Sequence, residues 1–447
     1  MAIAAAGCLE FDDSSPSPPP VEEPPTPHPA TEVGPQTPTW ETTGSPLEAT
    51  LEATTVVEAL EEPWDIAFGP DEVVITERAG RIRRLDRERL TGEATVSATD
   101  LEVDSVGLLD LVGNEGENGD GGIEGAEGES GDENGNGDRN GSRSKSASGL
   151  LGITLHPDYP DPAFVYLYYT AVGERLINRV VRYDATAAEP TVEPVVDSIP
   201  GAEINNGGRI AFGPDDALWI PTGDADEELR AQEPGSLVGS VLRVAPDGTP
   251  LQTDDLPAGG DPRLFSYGHR DVTGISWLPD GTPIVTERGP DSHDEVSLLW
   301  PGANYGWAVA RGGPDGQENE YDTYDDHPDF VPPVADSGPE TRFDPGGGVW
   351  YDDEAIPELQ NRFLFGGVES ERLFALTLLG PDTAPPEDAR TVFDADWLDD
   401  RYLALTHELF AGDYGHIRHV AQGPEGNLYL LTWDGEGDGQ LIRLEAE

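Results

Sequence analysis

Residues 208–224 read GRIAFGPDDALWIPTGD, an apolar strand, a Pro-Asp turn and a second apolar strand that ends near a threonine. Proline presets the first turn position and Asp or Gly tolerates the next, so the run predicts a tight β-hairpin. The same unit recurs along the chain. Its clear copies are WDIAFGPDEVVITER (64–78), GISWLPDGTPIVTER (274–288) and RHVAQGPEGNLYLLT (418–432), and its divergent copies span 150–170 and 347–367.

Six such units predict an all-β fold, a six-bladed β-propeller over residues 52–447. The strands are short and rich in β-branched and aromatic residues, and no long helical period competes with them. A propeller hides its sheet edges by radial repetition. The alternative, a pair of β-sandwiches, would not account for the repeated unit. In a propeller, function is expected on polar loops around the central channel.

The charge balance excludes two classes of partner. The chain has 447 residues with 88 acidic and 26 basic side chains, for a formal net charge of −62, and Lys145 is its single lysine. Binding to nucleic acid or to anionic membrane surfaces needs clustered basic residues, which are missing. Most of the acid lies outside the two polar segments described next, so the balance predicts a protein of very salty solvent. An ordinary acidic protein is the alternative.

Two segments are predicted to be disordered because they are polar and rich in Pro or Gly. In the first, 1–51, the opening MAIAAAGC resembles a lipobox in a start that looks truncated or misassigned. On that interpretation Cys8 carries a lipid, and the body lies outside the cell, anchored to the outer face of the cytoplasmic membrane by a flexible tether. A chance cysteine is the alternative. The second segment, about 113–148, is predicted to be an acidic loop insertion.

One loop has the ligand chemistry of a calcium site. The turn Gly289-Pro290 follows a predicted strand and leaves backbone carbonyls that no ladder uses, and Asp294 and Glu295 come close behind. Carbonyl and carboxylate oxygens are the ligands that calcium prefers. Arg270, in a nearby loop, can recognise oxygen atoms bidentately. The alternatives are a solvated acidic loop and a surface ion pair.

The ordered set of polar motifs resembles the soluble, pyrroloquinoline-quinone (PQQ)-dependent glucose/sorbosone (aldose sugar) dehydrogenase family, as a haloarchaeal-type lipoprotein member. The motifs follow the family's order across roughly 55–445. They include TERAGRIR (76–83), GLLGITLHPDY (149–159), NGGRIAFGPDDALWIPTGD (206–224), YGHRD (267–271), TERGP (286–290), GANYGW (302–307) and GHIRHV (415–420).

The resemblance implies a six-bladed propeller that holds PQQ and calcium in its central channel. It implies oxidation of aldose sugars at the cell surface, with hydride transfer from the anomeric carbon to the calcium-bound quinone. The partners would be a small sugar and an unidentified electron acceptor. Calcium would act as a Lewis acid, and arginines would stabilise charge on the quinone.

Residue roles follow from the same resemblance. The carbonyls of Gly289 and Pro290 would ligate the catalytic calcium, and Asp294 would support their loop. Glu295 and the carbonyl of Tyr305 would help bind a second, structural calcium.

On the cofactor, Arg270 would contact the quinone oxygens, and Arg418 would bind a carboxylate. Three cofactor or catalytic positions depart from the family pattern. The family's base, a histidine, is replaced by Asn205, which cannot accept a proton near neutral pH. A cofactor-binding asparagine is replaced by Asp271, and the first arginine of the terminal pair by His416.

Asp271 and His269 are candidate replacement bases by their sequence positions, with a structural role favoured for His269. A second hypothesis is a catalytically lapsed propeller that binds a sugar or another ligand, which Asn205 favours. The third is a calcium-dependent lactonase, which would need carboxylates from several loops at one channel metal.

Overall fold

The computed structural model describes residues 29–92, 94–104, 106, 148–313, 321–435 and 437–447. The described chain is all-β, and no helix in it is long and apolar enough to cross a membrane. Its helical segments are short 3-10 turns at Pro29–Glu32, Pro46–Glu48, Arg87–Arg89, Ala98–Asp100, Glu228–Gln232 and Tyr324–Asp326.

The strands number 26 in the described residues. In the first half of the chain they are β1 (Leu51–Leu60), β2 (Pro63–Phe68), β3 (Glu72–Glu77), β4 (Arg81–Asp86), β5 (Val96–Ser97), β6 (Glu102–Asp104), β7 (Leu150–Leu155), β8 (Phe164–Val172), β9 (Leu176–Asp184), β10 (Glu193–Pro200), β11 (Ala211–Phe212), β12 (Leu218–Pro221) and β13 (Ser240–Val244). In the second half they are β14 (Leu264–Tyr267), β15 (Val272–Trp277), β16 (Pro283–Glu287), β17 (Glu295–Leu298), β18 (Ala335–Asp336), β19 (Pro345–Tyr351), β20 (Arg362–Gly367), β21 (Arg372–Leu379), β22 (Thr391–Phe393), β23 (Leu403–Leu409), β24 (His416–Gln422), β25 (Leu428–Trp433) and β26 (Gly439–Ala446).

All six repeated units form antiparallel hairpins, as predicted. The pairs are β2–β3, β7–β8, β11–β12, β15–β16, β19–β20 and β24–β25. Each hairpin then continues outward through later strands. The four-stranded sheets have the orders β2-β3-β4-β6, β7-β8-β9-β10, β11-β12-β13-β14 and β15-β16-β17-β18.

The remaining described strands form one ten-stranded sheet, so the propeller contains five hydrogen-bonded sheets rather than the six separate blades expected from the repeat. The sheet has the order β22-β23-β21-β20-β19-β24-β25-β26-β1-β5. Its two halves join where Gly347 of β19 pairs in parallel with His419 of β24. A Cβ atom on Gly347 would lie 2.1 Å from His419 Nδ1, so glycine permits this close approach.

The two ends of the folded chain lie side by side. Strand β1 pairs antiparallel with β26, from Leu51 opposite Ala446 to Leu60 opposite Gly439. Neighbouring sheets share buried apolar clusters, for example one that contains Val74 of β3 together with Val165 and Leu167 of β8. Burial of this apolar surface drives the assembly of the sheets.

The expected disordered tether to residue 51 does not hold for residues 29–50, which lie against the body. The Trp40 ring packs edge-on against Trp350, with centroids 5.1 Å apart. The Gln36 backbone N–H donates to the carbonyl of Arg401 at 2.8 Å, and Arg401 Nη1 donates to the carbonyl of Ala30 at 3.2 Å. Side chains of the body also donate to this segment, Asn361 Nδ2 to the carbonyl of Glu41 and Arg362 Nη2 to that of Gly44, each at 2.8 Å. Cys8, residues 1–28 and the predicted insertion up to residue 147 lie outside the described residues.

Candidate functional site

The predicted site residues gather at one end of the central channel, where inner strands begin. Asn205 precedes β11, Asp271 directly precedes β15, and Arg418 lies near the start of β24. Arg78 and Arg288 follow the second strands of two hairpins and reach the same end. We call this set of five residues and the loops that carry them the polar end.

A buried ion pair crosses the channel beneath the polar end. Arg209 Nη1 lies 2.6 Å from Asp65 Oδ1, and Arg209 also donates to the carbonyls of Trp64 and Thr273. His419 Nε2 lies 3.5 Å from the same Asp65 oxygen. Burial raises the pKa of Asp65 and lowers that of His419. These contacts tie several inner strands together.

A cavity of about 440 Å³ lies toward the opposite, hairpin-turn end of the channel. Asp65, Arg209 and His419 line it, together with the turn residues Phe68 and Tyr159. None of the site residues predicted from the sequence lines this cavity.

Asn205 is held by a buried carboxylate. Its Nδ2 donates to Asp224 Oδ1 at 3.0 Å, and Trp307 Nε1 donates to Asp224 Oδ2 at 2.8 Å. The backbone N–H of Asp226 also donates to Asp224 Oδ1. Asp224 is fully buried, and burial raises its pKa to about 6. Because a carboxylate only accepts hydrogen bonds, it orients the Asn205 amide group with its oxygen away from Asp224.

Asp271 joins two loops of the polar end. Its Oδ1 accepts a hydrogen bond from the Gly207 backbone N–H at 2.9 Å, and its backbone pairs with Gly223. Burial raises the pKa of this carboxyl, although the charges of Arg288 and Arg270 oppose the shift. Asp271 is thus a buried carboxylate within the field of two arginines.

Arg270 contacts the predicted calcium loop directly. Its Nη1 donates to the carbonyl oxygens of Arg288 at 3.1 Å and Gly289 at 2.9 Å. Its guanidinium carbon lies 5.5 Å from the centroid of the Trp307 ring. The Gly289 carbonyl assigned to calcium by resemblance therefore accepts a hydrogen bond from the arginine assigned to the quinone. A carbonyl has a second lone pair for a metal.

A cavity of about 20 Å³, enough for a single ion or water molecule, brings five of the predicted residues together. Those residues are Arg270, Gly289, Pro290, Glu295 and Tyr305.

Around this cavity, one hydroxyl links the two predicted ligands of the structural calcium. Tyr324 OH lies 2.9 Å from the carbonyl oxygen of Tyr305 and 3.2 Å from Glu295 Oε1. Burial raises the pKa of Glu295 well above its usual range, and the nearby carboxylates of Glu287 and Asp336 raise it further. An added cation would relieve this unfavourable charge.

Asp294 supports the loop rather than facing the small cavity. Its Oδ1 accepts from the Gly289 backbone N–H at 3.0 Å, and its Oδ2 accepts from the Asp344 N–H at 2.8 Å. Its carboxylate therefore holds the Gly289-Pro290 turn in place. Within the described residues, no group of three or more His, Cys, Asp or Glu side chains has the geometry of a metal site, so a calcium ion here would depend on carbonyl oxygens.

Arg418 is a buried cation that forms no ion pair among the described residues, although the more distant charges of Glu62 and Asp344 favour its charged form. It is 6% exposed, and its Nε has no hydrogen-bond partner. Its guanidinium lies 4.7 Å from the Trp433 ring centroid and 5.5 Å from that of Trp64. Burial lowers its pKa to about 9, and the neighbouring charges of Arg78 and Arg288 contribute. Positive charge is thus concentrated at one wall of the polar end.

The two neighbouring arginines each contact a backbone carbonyl and an acidic side chain. Arg78 donates to the carbonyl of Ser148 and lies 3.9 Å from Glu62. Arg288 donates to the carbonyl of Pro345 and lies 3.7 Å from Asp344.

Two histidines of the region differ in access. His269 is fully buried, with Nδ1 2.8 Å from Glu287 Oε2 and Nε2 2.9 Å from Ser266 Oγ, so it supports the loop and cannot reach a substrate. His416 is only partly buried and packs edge-on against Trp433 at 5.8 Å.

Sequence reasoning missed Asp224, Trp307, Tyr324, Arg78 and Arg288 as site residues. Arg78 and Arg288 occupy the same position in two copies of the repeated unit, each at the end of a TER run. That parallel could have revealed them. Tyr324 lies in an irregular segment far from Glu295 in the chain and carried no signal.

Comparisons with known proteins identify the family of the chain. The profile of the family described as GSDH, Glucose / Sorbosone dehydrogenase, matches residues 60–443. The chain is 25% identical over 320 residues to aldose sugar dehydrogenase YliI of Escherichia coli K12, which covers 66% of this chain and 76% of that protein. It is 27% identical over 206 residues to quinoprotein glucose dehydrogenase B of Acinetobacter calcoaceticus, which covers 40% of this chain and 43% of that protein.

A solved structure extends the likeness over the whole propeller. The PQQ-bound form of aldose sugar dehydrogenase from Streptomyces coelicolor superposes with a TM-score of 0.61 at 27% identity, covering 89% of this chain and 99% of that one. With a family profile matched over most of its length, the chain belongs to the glucose/sorbosone dehydrogenase family.

Proposed function

We propose that this protein is a PQQ-dependent dehydrogenase that oxidises aldose sugars at the anomeric carbon. Family membership and the named relatives support a sugar dehydrogenase. The observation that carries the proposal is Arg418, a buried cation with an orphaned Nε beside Arg78 and Arg288. In a chain of net charge −62, a buried arginine without an ion pair among the described residues, with two further arginines beside it, indicates an anionic ligand.

The residues present fit such a cofactor. Arg418, Arg78 and Arg288 would hold the carboxylates of the tricarboxylate quinone, and Arg270 would face its carbonyl oxygens. His416, at the edge of the same wall, would contact the cofactor as a neutral or charged donor. When bound, the quinone supplies the hydride acceptor.

Calcium is part of the proposal. The carbonyls of Gly289 and Pro290 would bind the catalytic ion, with Asp294 holding their turn. Glu295 and the carbonyl of Tyr305 would contribute to a second ion. The single-ion cavity between these groups and the raised pKa of Glu295 support a cation here.

We also infer that the ten-stranded sheet represents two blades joined at the Gly347–His419 bridge, which gives six blades in total. Each half of that sheet begins with one of the six repeated hairpins, as each four-stranded sheet does. The inner strands of these two blades can approach closely enough to pair because Gly347 has no side chain.

Cell-surface location in a high-salt environment, with a lipid on Cys8, remains part of the proposal. The acidic body supports the high-salt part, and the lipobox-like residues before Cys8 support the anchor. Expression of the full chain in a salt-requiring host, with Cys8→Ser as the comparison, tests it. Release of the variant from washed membranes supports the anchor, and equal membrane retention contradicts it.

Reconstitution tests the activity. Purified protein is loaded with PQQ and calcium in concentrated salt and mixed with a panel of aldoses and a redox dye. The proposal predicts calcium-dependent dye reduction with at least one aldose. A protein that binds quinone and a sugar but turns over no aldose would instead be the binding module that Asn205 suggests.

A further inference from the structure

A proton acceptor has to be found at the polar end if the proposed oxidation occurs, because Asn205 cannot take a proton. The described carboxylates near Asn205 differ in how many of their lone pairs are already used. Asp224 is fully buried and accepts from Asn205, Asp226 and Trp307. Each of its oxygens therefore already has a donor, and the group is not exposed to the channel.

Glu287 is closed in the same way. One of its oxygens accepts from the Arg270 backbone N–H, and the other lies 2.8 Å from His269 Nδ1. His269 itself is fully buried. The buried His269 ring therefore cannot meet a hydroxyl that enters from the channel, and each oxygen of Glu287 already has a partner.

Asp271 is different. Its Oδ1 accepts from the Gly207 N–H at 2.9 Å, while no described residue donates to its Oδ2, and this oxygen is not among the fully enclosed orphan atoms. Its hydrogen-bond partner Gly207 lies two residues after Asn205 in the chain, and Asp271 directly follows Arg270. It thus combines an open oxygen with a position beside the residue assigned to the quinone carbonyls.

We propose that Asp271 is the general base of this enzyme, accepting the proton of the sugar's anomeric hydroxyl at Oδ2, while the amide oxygen of Asn205 only orients that hydroxyl. The inference rests on the proposed function. The family's imidazole and asparagine are here an asparagine and a carboxylate, on two loops that touch through Gly207 and Asp271. Compared with the family pattern, the basic group thus lies on the loop of Asp271 instead of the neighbouring loop of Asn205.

The step balances with the oxidant already named. The O–H bond of the anomeric hydroxyl would break and its proton would pass to Asp271 Oδ2, while the C1 hydrogen would leave with its electron pair to the bound quinone, which would supply the hydride acceptor. The sugar becomes a lactone, two electrons poorer. Asp271 later returns its proton to water.

The surroundings suit a base that works near neutral pH. The charged and titratable groups that face Asp271 are Arg270 and Arg288, which favour its ionised form, and Glu287 and Tyr168. Burial opposes ionisation and raises the pKa, so this carboxylate is more basic than an exposed one.

Asp271→Asn tests the proposal, because it restores the amide that the family carries and removes only the base. We expect PQQ titrated by calorimetry to bind the variant at least as tightly as the parent, since a negative charge is lost. Turnover of the loaded variant should fall by about 100-fold or more. Asp216→Asn, an equal change at an exposed turn, should alter neither quantity.

Two outcomes would overturn the proposal. The first is an Asp271→Asn variant that binds quinone and keeps more than a tenth of parental turnover. The second is a variant that no longer binds quinone, which would make the carboxylate a structural group. Failure of the parent chain to bind quinone at all is a separate result, and it would remove the proposed function itself.

Discussion

Asn205 Nδ2 donates to Asp224 Oδ1 at 3.0 Å, so the residue that replaces the family's base is held by a buried carboxylate. An imidazole at 205 would find the same acceptor for its ring N–H. The Asn205→His variant therefore tests whether the absence of this histidine limits the activity of the site.

We expect quinone-loaded Asn205→His to turn over aldoses within about threefold of the parent, because Asp271 already supplies a base and the added imidazole is redundant. Steady-state kinetics across several aldoses measure the effect. A gain of 100-fold or more would show that the native site had lapsed for want of the imidazole.

Arg418→Met should make the cofactor-free protein more stable. The change keeps the apolar stem and removes a buried charge that forms no ion pair among the described residues, so unfolding should require about 1–2 kcal/mol more. Thermal unfolding at fixed high salt measures the difference. The matched control is Arg179→Met, which removes a partly exposed arginine paired with Asp197, and it should change stability by less than about 0.5 kcal/mol. A loss of stability in Arg418→Met would contradict this prediction. It would mean that the contacts of the arginine with Trp64 and Trp433 stabilise the fold by more than the burial of its charge costs.

Asp224→Asn should remove a pH dependence of folding. The folded pKa of about 6 lies above the unfolded value of 3.8, so this carboxyl favours the folded state below pH 3.8, and that contribution is lost as pH rises through about 6. Relative to the variant, the parent should therefore lose about 3 kcal/mol of stability between pH 4 and pH 6.5. Denaturant unfolding of the cofactor-free proteins over this range measures it. Parallel pH profiles for parent and variant would contradict the assignment.

Glu295→Gln should uncouple calcium from stability. Without calcium the variant should be at least as stable as the parent, because it removes a buried carboxyl crowded by Glu287 and Asp336. With calcium at about 100 times the Kd of the ion at Glu295, binding at that site should add about 2.7 kcal/mol to the stability of the parent and much less to that of the variant. Glu193→Gln, which alters an exposed carboxylate paired with Arg182, should retain the parental response. An equal calcium response in Glu295→Gln would place the ion elsewhere.

The hairpins could be predicted from the sequence because each depends on local chemistry. In 208–224, for example, a Pro-Asp turn lies between two apolar runs, and the structure pairs Ala211 with Trp219 across it. The docking of residues 29–50 was missed because it depends on Trp40 reaching Trp350, a contact between segments far apart in the chain.

The site shows the same division. Loop motifs indicated Arg270, Gly289 and Glu295, and one small cavity brings these residues together. Distant contacts left no local signature, as with Trp307 Nε1 donating to Asp224 across 83 residues of sequence. The joining of two sheets was also not predicted, because the pairing of β19 with β24 connects residues that are far apart in the sequence.

Calorimetric titration of PQQ into the calcium-loaded protein at high salt, with Arg418→Met beside the parent, tests the account most directly. It predicts saturable binding to the parent and affinity weaker by about 10- to 100-fold in Arg418→Met, as expected for loss of a charge-assisted contact worth about 1.5–3 kcal/mol. Arg179→Met should bind as the parent does. No binding to the parent, or equal binding to Arg418→Met, would contradict the claim that the buried arginines of the polar end hold the quinone.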